Sequence, residues 1–156
     1  MAQANILIVD DNASLAETVA ELLAEHGFAV RVATSGAEAL VASRLCPVDA
    51  VVVDVDLPDI GGLKLARRLA RRHRGTAIVV MSAREPQRLV PRCEEMGARF
   101  VAKPFSPRRL VATVRAVVEQ RQLEAPRRHR SRLPRLLGPR RPRALLQGAL
   151  PSRWRR

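Results

Sequence analysis

A chain of 156 residues with 47% hydrophobic side chains can bury one domain-sized core, and with aromatics at only 3% that core must be Val, Leu, Ile and Ala. The formal net charge of +13 suggests a polyanion binder, yet residues 125–156 hold eleven arginines and no acid, while residues 1–124 nearly balance, with 17 Lys and Arg against all 15 Asp and Glu. No apolar run approaches the ~20 residues of a membrane span, MAQANILIVDD lacks the features of a signal peptide, and Cys46 and Cys93, without a CxxC, read as reduced thiols of a cytoplasmic chain.

The run ILIV at 6–9 predicts a strand buried on both faces that ends on Asp10-Asp11. Leu15, Val19, Leu22 and Leu23 then fall at helical spacing, with Ser14-Leu-Ala-Glu17 matching a capping box and Gly27 as the stop. FAVRVA at 28–33 predicts a second strand, and Ser35-Gly-Ala-Glu38 opens a helix carrying Ala37, Leu40 and Val41. AVVV at 50–53 predicts a third strand, ending on Asp54 with Asp56 beyond it. Pro58, Gly61 and Gly62 shape the loop before a helix with Leu63, Ala66, Leu69 and Ala70 inward. Arg67, Arg68, Arg71, Arg72 and Arg74 form its solvated face, and Asp56 and Asp59 read as solvated loop acids rather than side-chain ligands.

AIVVM at 77–81 predicts a fourth strand, ending on Ser82-Ala83, where Ser82 is also a candidate N-cap toward Glu85. A helix with Leu89, Cys93 and Met96 stops at Gly97, and RFVA at 99–102 is the fifth strand, followed by Lys103-Pro104. Ser106-Pro107 caps a last helix carrying Leu110, Val114, Val117 and Val118. Five β–α units make a doubly wound α/β domain over 1–122. The Arg/Pro-rich remainder, 123–156, with five prolines, is expected to be disordered. His26, His73 and His129 share no ligand spacing, so no zinc site is expected.

In an open parallel sheet, ligands bind beyond the carboxyl ends of the strands. There the sequence delivers Asp10, Asp11, Asp54, Ser82 and Lys103. Clustered carboxylates repel one another and call for a hard divalent cation such as Mg²⁺. With an ammonium and a hydroxyl added, the set suits phosphoryl transfer, although these residues alone leave a plain metal site open.

Asp10-Asp11, the D-x-x-x-P of Asp54 to Pro58, Gly62, Ser82-Ala83 and F-V-A-K-P-F at 100–105 together resemble the receiver domain of two-component response regulators, over residues 4–122. The resemblance implies a flavodoxin-like sheet in the order 2-1-3-4-5. It implies that Asp54 takes a phosphoryl group from a phosphohistidine of a sensor histidine kinase or phosphotransfer protein, with Lys103 and Ser82 as the other catalytic residues. Mg²⁺ would be held directly by Asp11 and Asp54 and by the backbone carbonyl of Asp56, with Asp10 acting mainly through a water. Lys103 would pair with the phosphoryl oxygens and precede a cis proline. Ser82 and Phe100 would be the switch, remodelling the face of the fourth helix, fifth strand and fifth helix for an unknown downstream protein.

The chain departs mildly from that pattern: Phe100 replaces the frequent tyrosine, and Asp56 and Arg84 occupy positions that in the family tune phosphoryl lifetime. The expectation is a cytoplasmic, stand-alone receiver that is not an enzyme beyond its own phosphorylation and dephosphorylation. The alternative is a receiver-shaped module delivering the basic tail, with Trp154 and its leucine pairs, to nucleic acid or an anionic membrane. A third reading, a phosphatase-like hydrolase using Asp54 and Asp56, lacks an obvious substrate-binding cap insertion.

Overall fold

A computed structural model describes residues 3–124. The chain alternates β1 (Asn5–Val9), α1 (Ala13–Glu25), β2 (Ala29–Ala33), α2 (Gly36–Leu45), β3 (Ala50–Asp54), α3 (Gly62–Arg72), β4 (Ala77–Ser82), α4 (Pro86–Glu95), β5 (Arg99–Ala102) and α5 (Pro107–Glu124). The five strands form one parallel sheet in the order β2-β1-β3-β4-β5. Every strand predicted from an apolar run is present to within about one residue at either end, because strands covered on both faces need no polar alternation. The tail expected to be disordered lies, from residue 125 onward, outside the described residues.

Pleating divides the core in two. Ile6, Ile8, Val52, Val79 and Val101 meet Val19 and Leu23 of α1 and Leu110, Val114 and Val118 of α5. Leu7, Val9, Val51, Val53 and Val80 meet Ala39 of α2, Leu65 and Leu69 of α3, and Cys93 of α4. Two apolar layers on one sheet fix the register, since a slip by one residue would exchange them.

Helix starts separate what the sequence shows from what it hides. Ser35 caps α2 as predicted, accepting from Glu38 N at 3.1 Å, and the Glu38 carboxylate reaches Thr34 N at 2.6 Å. Ser106 accepts from Arg109 N at 3.2 Å and caps α5. The capping box read at Ser14 is corrected: Asn12 is the N-cap of α1, accepting from Leu15 N at 3.1 Å, and Ser14 lies within the helix. Asn is as good a cap as Ser and comes two residues earlier on the short path out of β1. Gly27 and Gly97 terminate helices at φ of 90° and 67°, a region in which glycine avoids the strain of a Cβ. α4 carries Pro91 in its interior, which removes one intrahelical donor. Among the described residues no helix is long and apolar enough to cross a membrane.

Candidate functional site

Five strand ends lie along one rim of the sheet, and β1, β3, β4 and β5 each deliver a polar group to it. Asp10 follows β1 and is buried, Asp11 beside it is exposed, and Asp54 is the buried last residue of β3. Lys103 follows β5, and its Nζ lies 2.7 Å from Asp10 Oδ2 and 3.3 Å from Asp54 Oδ2. Residues separated by 93 positions are thus hydrogen-bonded. Carboxylate oxygens of Asp10, Asp11 and Asp54 all lie within 4.8 Å of one another. The peptide between Lys103 and Pro104 is cis, as the resemblance implied.

The loop behind Asp54 is shaped by backbone. Gly62 N donates to Val55 O at 2.8 Å, and a Cβ on Gly62 would sit 1.9 Å from Asp54 O. Only glycine lets α3 begin against the main chain of β3. Asp54 Oδ1 accepts from Asp56 N at 3.3 Å, and Asp10 Oδ1 accepts from Asn12 N at 3.0 Å.

Burial raises the pKa of Asp54, and the Asp10 charge adds to it; the Lys103 charge and the Asp56 N–H oppose without cancelling this. Burial pulls Lys103 down, but its bond to Asp10 and the charges of Asp10 and Asp54 outweigh it, so the ammonium is held above its ordinary range. The site therefore gathers three carboxylates around one fixed cation. Three clustered hard oxygens with a residual penalty on the ionised form fit a small hard divalent ion.

Ser82 is fully buried at the end of β4, and its carbonyl accepts from Lys103 N at 2.8 Å. The N-cap reading of Ser82 is corrected. Its Oγ accepts from Arg84 N at 3.0 Å in a turn, while Glu85 is the residue preceding α4 and makes no side-chain cap. Phe100 is half-buried and packs inward against the layer under α2, α3 and α4. The side chain of Asp56 does not join the carboxylate cluster; it pairs with Arg84, whose Nε donates to Asp56 Oδ2 at 3.1 Å. The remaining expectation for Asp56 involves only its carbonyl.

Asp59 is an exposed loop acid outside the cluster, as expected, but it has a structural task the sequence did not show: its carboxylate accepts from Gly36 N at 2.9 Å and Ala37 N at 2.8 Å, capping α2 from a different loop. Those N–H groups hold its pKa below the ordinary carboxylate value of 3.8. Its pairing, and that of Asp56 with Arg84, spans more than twenty residues and leaves no local spacing to read. The described histidines, His26 and His73, follow α1 and α3 at their C-terminal ends.

Residues 6–115 match the response regulator receiver domain family. The chain is 37% identical over 123 residues to the transcriptional regulatory protein CreB of Escherichia coli, covering 77% of this chain and 53% of that protein. It is 41% identical over 112 residues to the DNA-binding response regulator MtrA of Mycobacterium tuberculosis, covering 71% and 49%. The chain thus spans about half the length of the curated relatives it matches. In fold it is similar to a CheY-like receiver domain protein of Methanospirillum hungatei, with a TM-score of 0.75, 22% identity and coverage of 80% of this chain and 100% of the other. Chemotaxis protein CheY4 of Vibrio cholerae superposes with a TM-score of 0.69 at 27% identity, covering 74% and 99%.

Proposed function

Because the chain belongs to the response regulator receiver domain family, we propose that it is a phosphorylatable switch in which Asp54 accepts the phosphoryl group of a phosphohistidine on a sensor histidine kinase or phosphotransfer protein. The observation that carries this reading is Lys103 Nζ, brought from β5 to within 3.3 Å of Asp54 and 2.7 Å of Asp10 beside a cluster of three carboxylates.

An ionised Asp54 oxygen attacks phosphorus, the N–P bond breaks with its electron pair returning to the imidazole, and an acyl phosphate remains on Asp54. Lys103, freed from part of its contact with Asp54, pairs with the new phosphoryl oxygens, while Asp10 keeps it in place. Mg²⁺, held by Asp11 and Asp54 with the Asp56 carbonyl and by Asp10 mainly through a water, would supply the positive charge that offsets the burial penalty on Asp54 and neutralises charge on the transferring group. Ser82 Oγ turns from Arg84 N to donate to the phosphoryl group. Because Lys103 N is bonded to Ser82 O, that movement is felt at β5, where Phe100 is already packed inward. The face of α4, β5 and α5 would then favour a downstream protein, a population shift driven by new hydrogen bonds.

The protein's chemistry on this reading is confined to its own phosphorylation and dephosphorylation, and its setting is the cytoplasm. The test is labelling by a small phosphodonor such as acetyl phosphate. The wild-type chain should take up one phosphoryl group when Mg²⁺ is present, and Asp54→Asn none; equal labelling of the two removes the mechanism.

The acid-free run of eleven arginines in 125–156 favours a second reading, a tail that carries the domain to a polyanion. If the chain lacking 125–156 binds a polyanion as tightly as the intact chain, that reading is removed.

A further inference from the structure

Between Asp59 and Glu85 the chain has no acidic residue. That interval contains α3, with Lys64, Arg67, Arg68, Arg71 and Arg72 on the helix and Arg74 just past it, all exposed. The spacing 64, 67/68, 71/72 places the helical cations in successive turns on one side, opposite the buried Leu65, Ala66 and Leu69. Among the described residues, the carboxylate in ion-pair reach of this row is Glu95, 3.8 Å from Arg67.

Helix stability does not account for the row. Arg71 and Arg72 sit in the last turn, where the helix dipole favours cations, but Lys64 sits in the first turn, where it opposes a cation and where there is no acid, and Arg67 and Arg68 lie mid-helix, beyond its reach. Lys64–Arg68, Arg67–Arg71 and Arg68–Arg72 are like-charge pairs four residues apart, each unfavourable to the helix. The arrangement becomes favourable when a polyanion lies along it.

We propose that the outer face of α3 is a sequence-independent docking surface for the phosphate backbone of double-stranded nucleic acid. Rows of cations one helical turn apart, about 5.4 Å, face a duplex carrying a charge every ~1.7 Å of its axis, so several phosphates lie opposite the row at once. A lipid surface is a poorer occupant: helices that lie in membrane interfaces insert a free apolar face, and the apolar face of α3 is committed to the core. Single-stranded nucleic acid is poorer too, because α3 has no aromatic side chain on which bases could stack. The proposal is independent of Asp54 phosphorylation, and neither experiment decides the other.

The test compares two full-length variants with equal loss of charge, binding a short mixed-sequence DNA duplex across a salt series. One is Arg68→Gln/Arg71→Gln/Arg72→Gln on α3; the other is Arg108→Gln/Arg109→Gln/Arg115→Gln on α5. All six positions are exposed, and glutamine is a good helix former. The α3 variant should lose about 2.7 from the slope of log K against log salt and at least ~10-fold in affinity near 0.1 M salt, with the α5 variant within about twofold of wild type. Equal losses in both, or wild-type binding by the α3 variant, overturn the proposal, as does α3-dependent binding to phosphatidylserine vesicles without binding to the duplex. Should the α3 triple fail to fold, Arg71→Glu against Arg115→Glu is read by the same criteria.

Discussion

At the scale of single residues, Lys103 has the largest consequence. It is the cation beside two buried carboxylates and is itself mostly buried. Removing one partner of such an arrangement leaves uncompensated charge, which costs more than the pair contributes. Lys103→Ala should therefore lower stability at neutral pH by on the order of 3 kcal/mol in urea unfolding, and should still bind Mg²⁺ because the three carboxylates remain. A loss well below 1 kcal/mol would mean that solvent already screens Asp10 and Asp54. Gly62 was legible in the sequence as part of a loop-forming pair, but its reason was not: the close approach of its Cα to Asp54 O depends on where β3 ends in space.

At the scale of elements, α2 starts on two side chains from different parts of the chain, Ser35 and Asp59. Losing an N-cap costs roughly 1 kcal/mol, so Asp59→Ala should destabilise the fold by about that amount at pH 7. The depressed pKa of Asp59 sets the sign of its pH dependence. The unfolded state binds the proton more readily, so this contribution is present above the ordinary value of 3.8 and is lost as pH falls through the lower folded value. Stability curves of wild type and Asp59→Ala should converge on acidification below 3.8; a constant gap would assign the effect to packing. α3 runs the other way: its three like-charge pairs cost about 0.2–0.5 kcal/mol each, a penalty its buried leucines absorb.

The whole domain is a sheet that gathers charge at one rim, and an ion bound there would be coupled to folding. A ligand bound by the native state alone stabilises by RT ln(1 + [L]/Kd). Mg²⁺ at tenfold its Kd should add about 1.4 kcal/mol and raise the midpoint of thermal unfolding by several degrees; a chelator should reverse this, and Asp11→Asn should blunt it. A midpoint indifferent to Mg²⁺ would argue against the carboxylate cluster as a metal site. Most of this architecture could be read from the chain because burial on both faces makes each strand a continuous run and the strand ends are where polar residues resume. Asp10, Asp54 and Lys103 were visible for that reason. Asn12 as a cap was obscured by a better-looking local pattern at Ser14. Asp59 and the Asp56–Arg84 pair depend on loops that meet only after the sheet has formed.

Residues 55–61 leave β3 with the main chain of Gly62 drawn against Asp54 at one side and Asp59 fastened to the first turn of α2 at the other. A protein engineer transplanting the segment from 54 to 62 into a foreign scaffold would carry Asp54 but leave half its mooring behind. The portable module is discontinuous, and a graft meant to preserve the loop's shape must bring residues 34–38 with it.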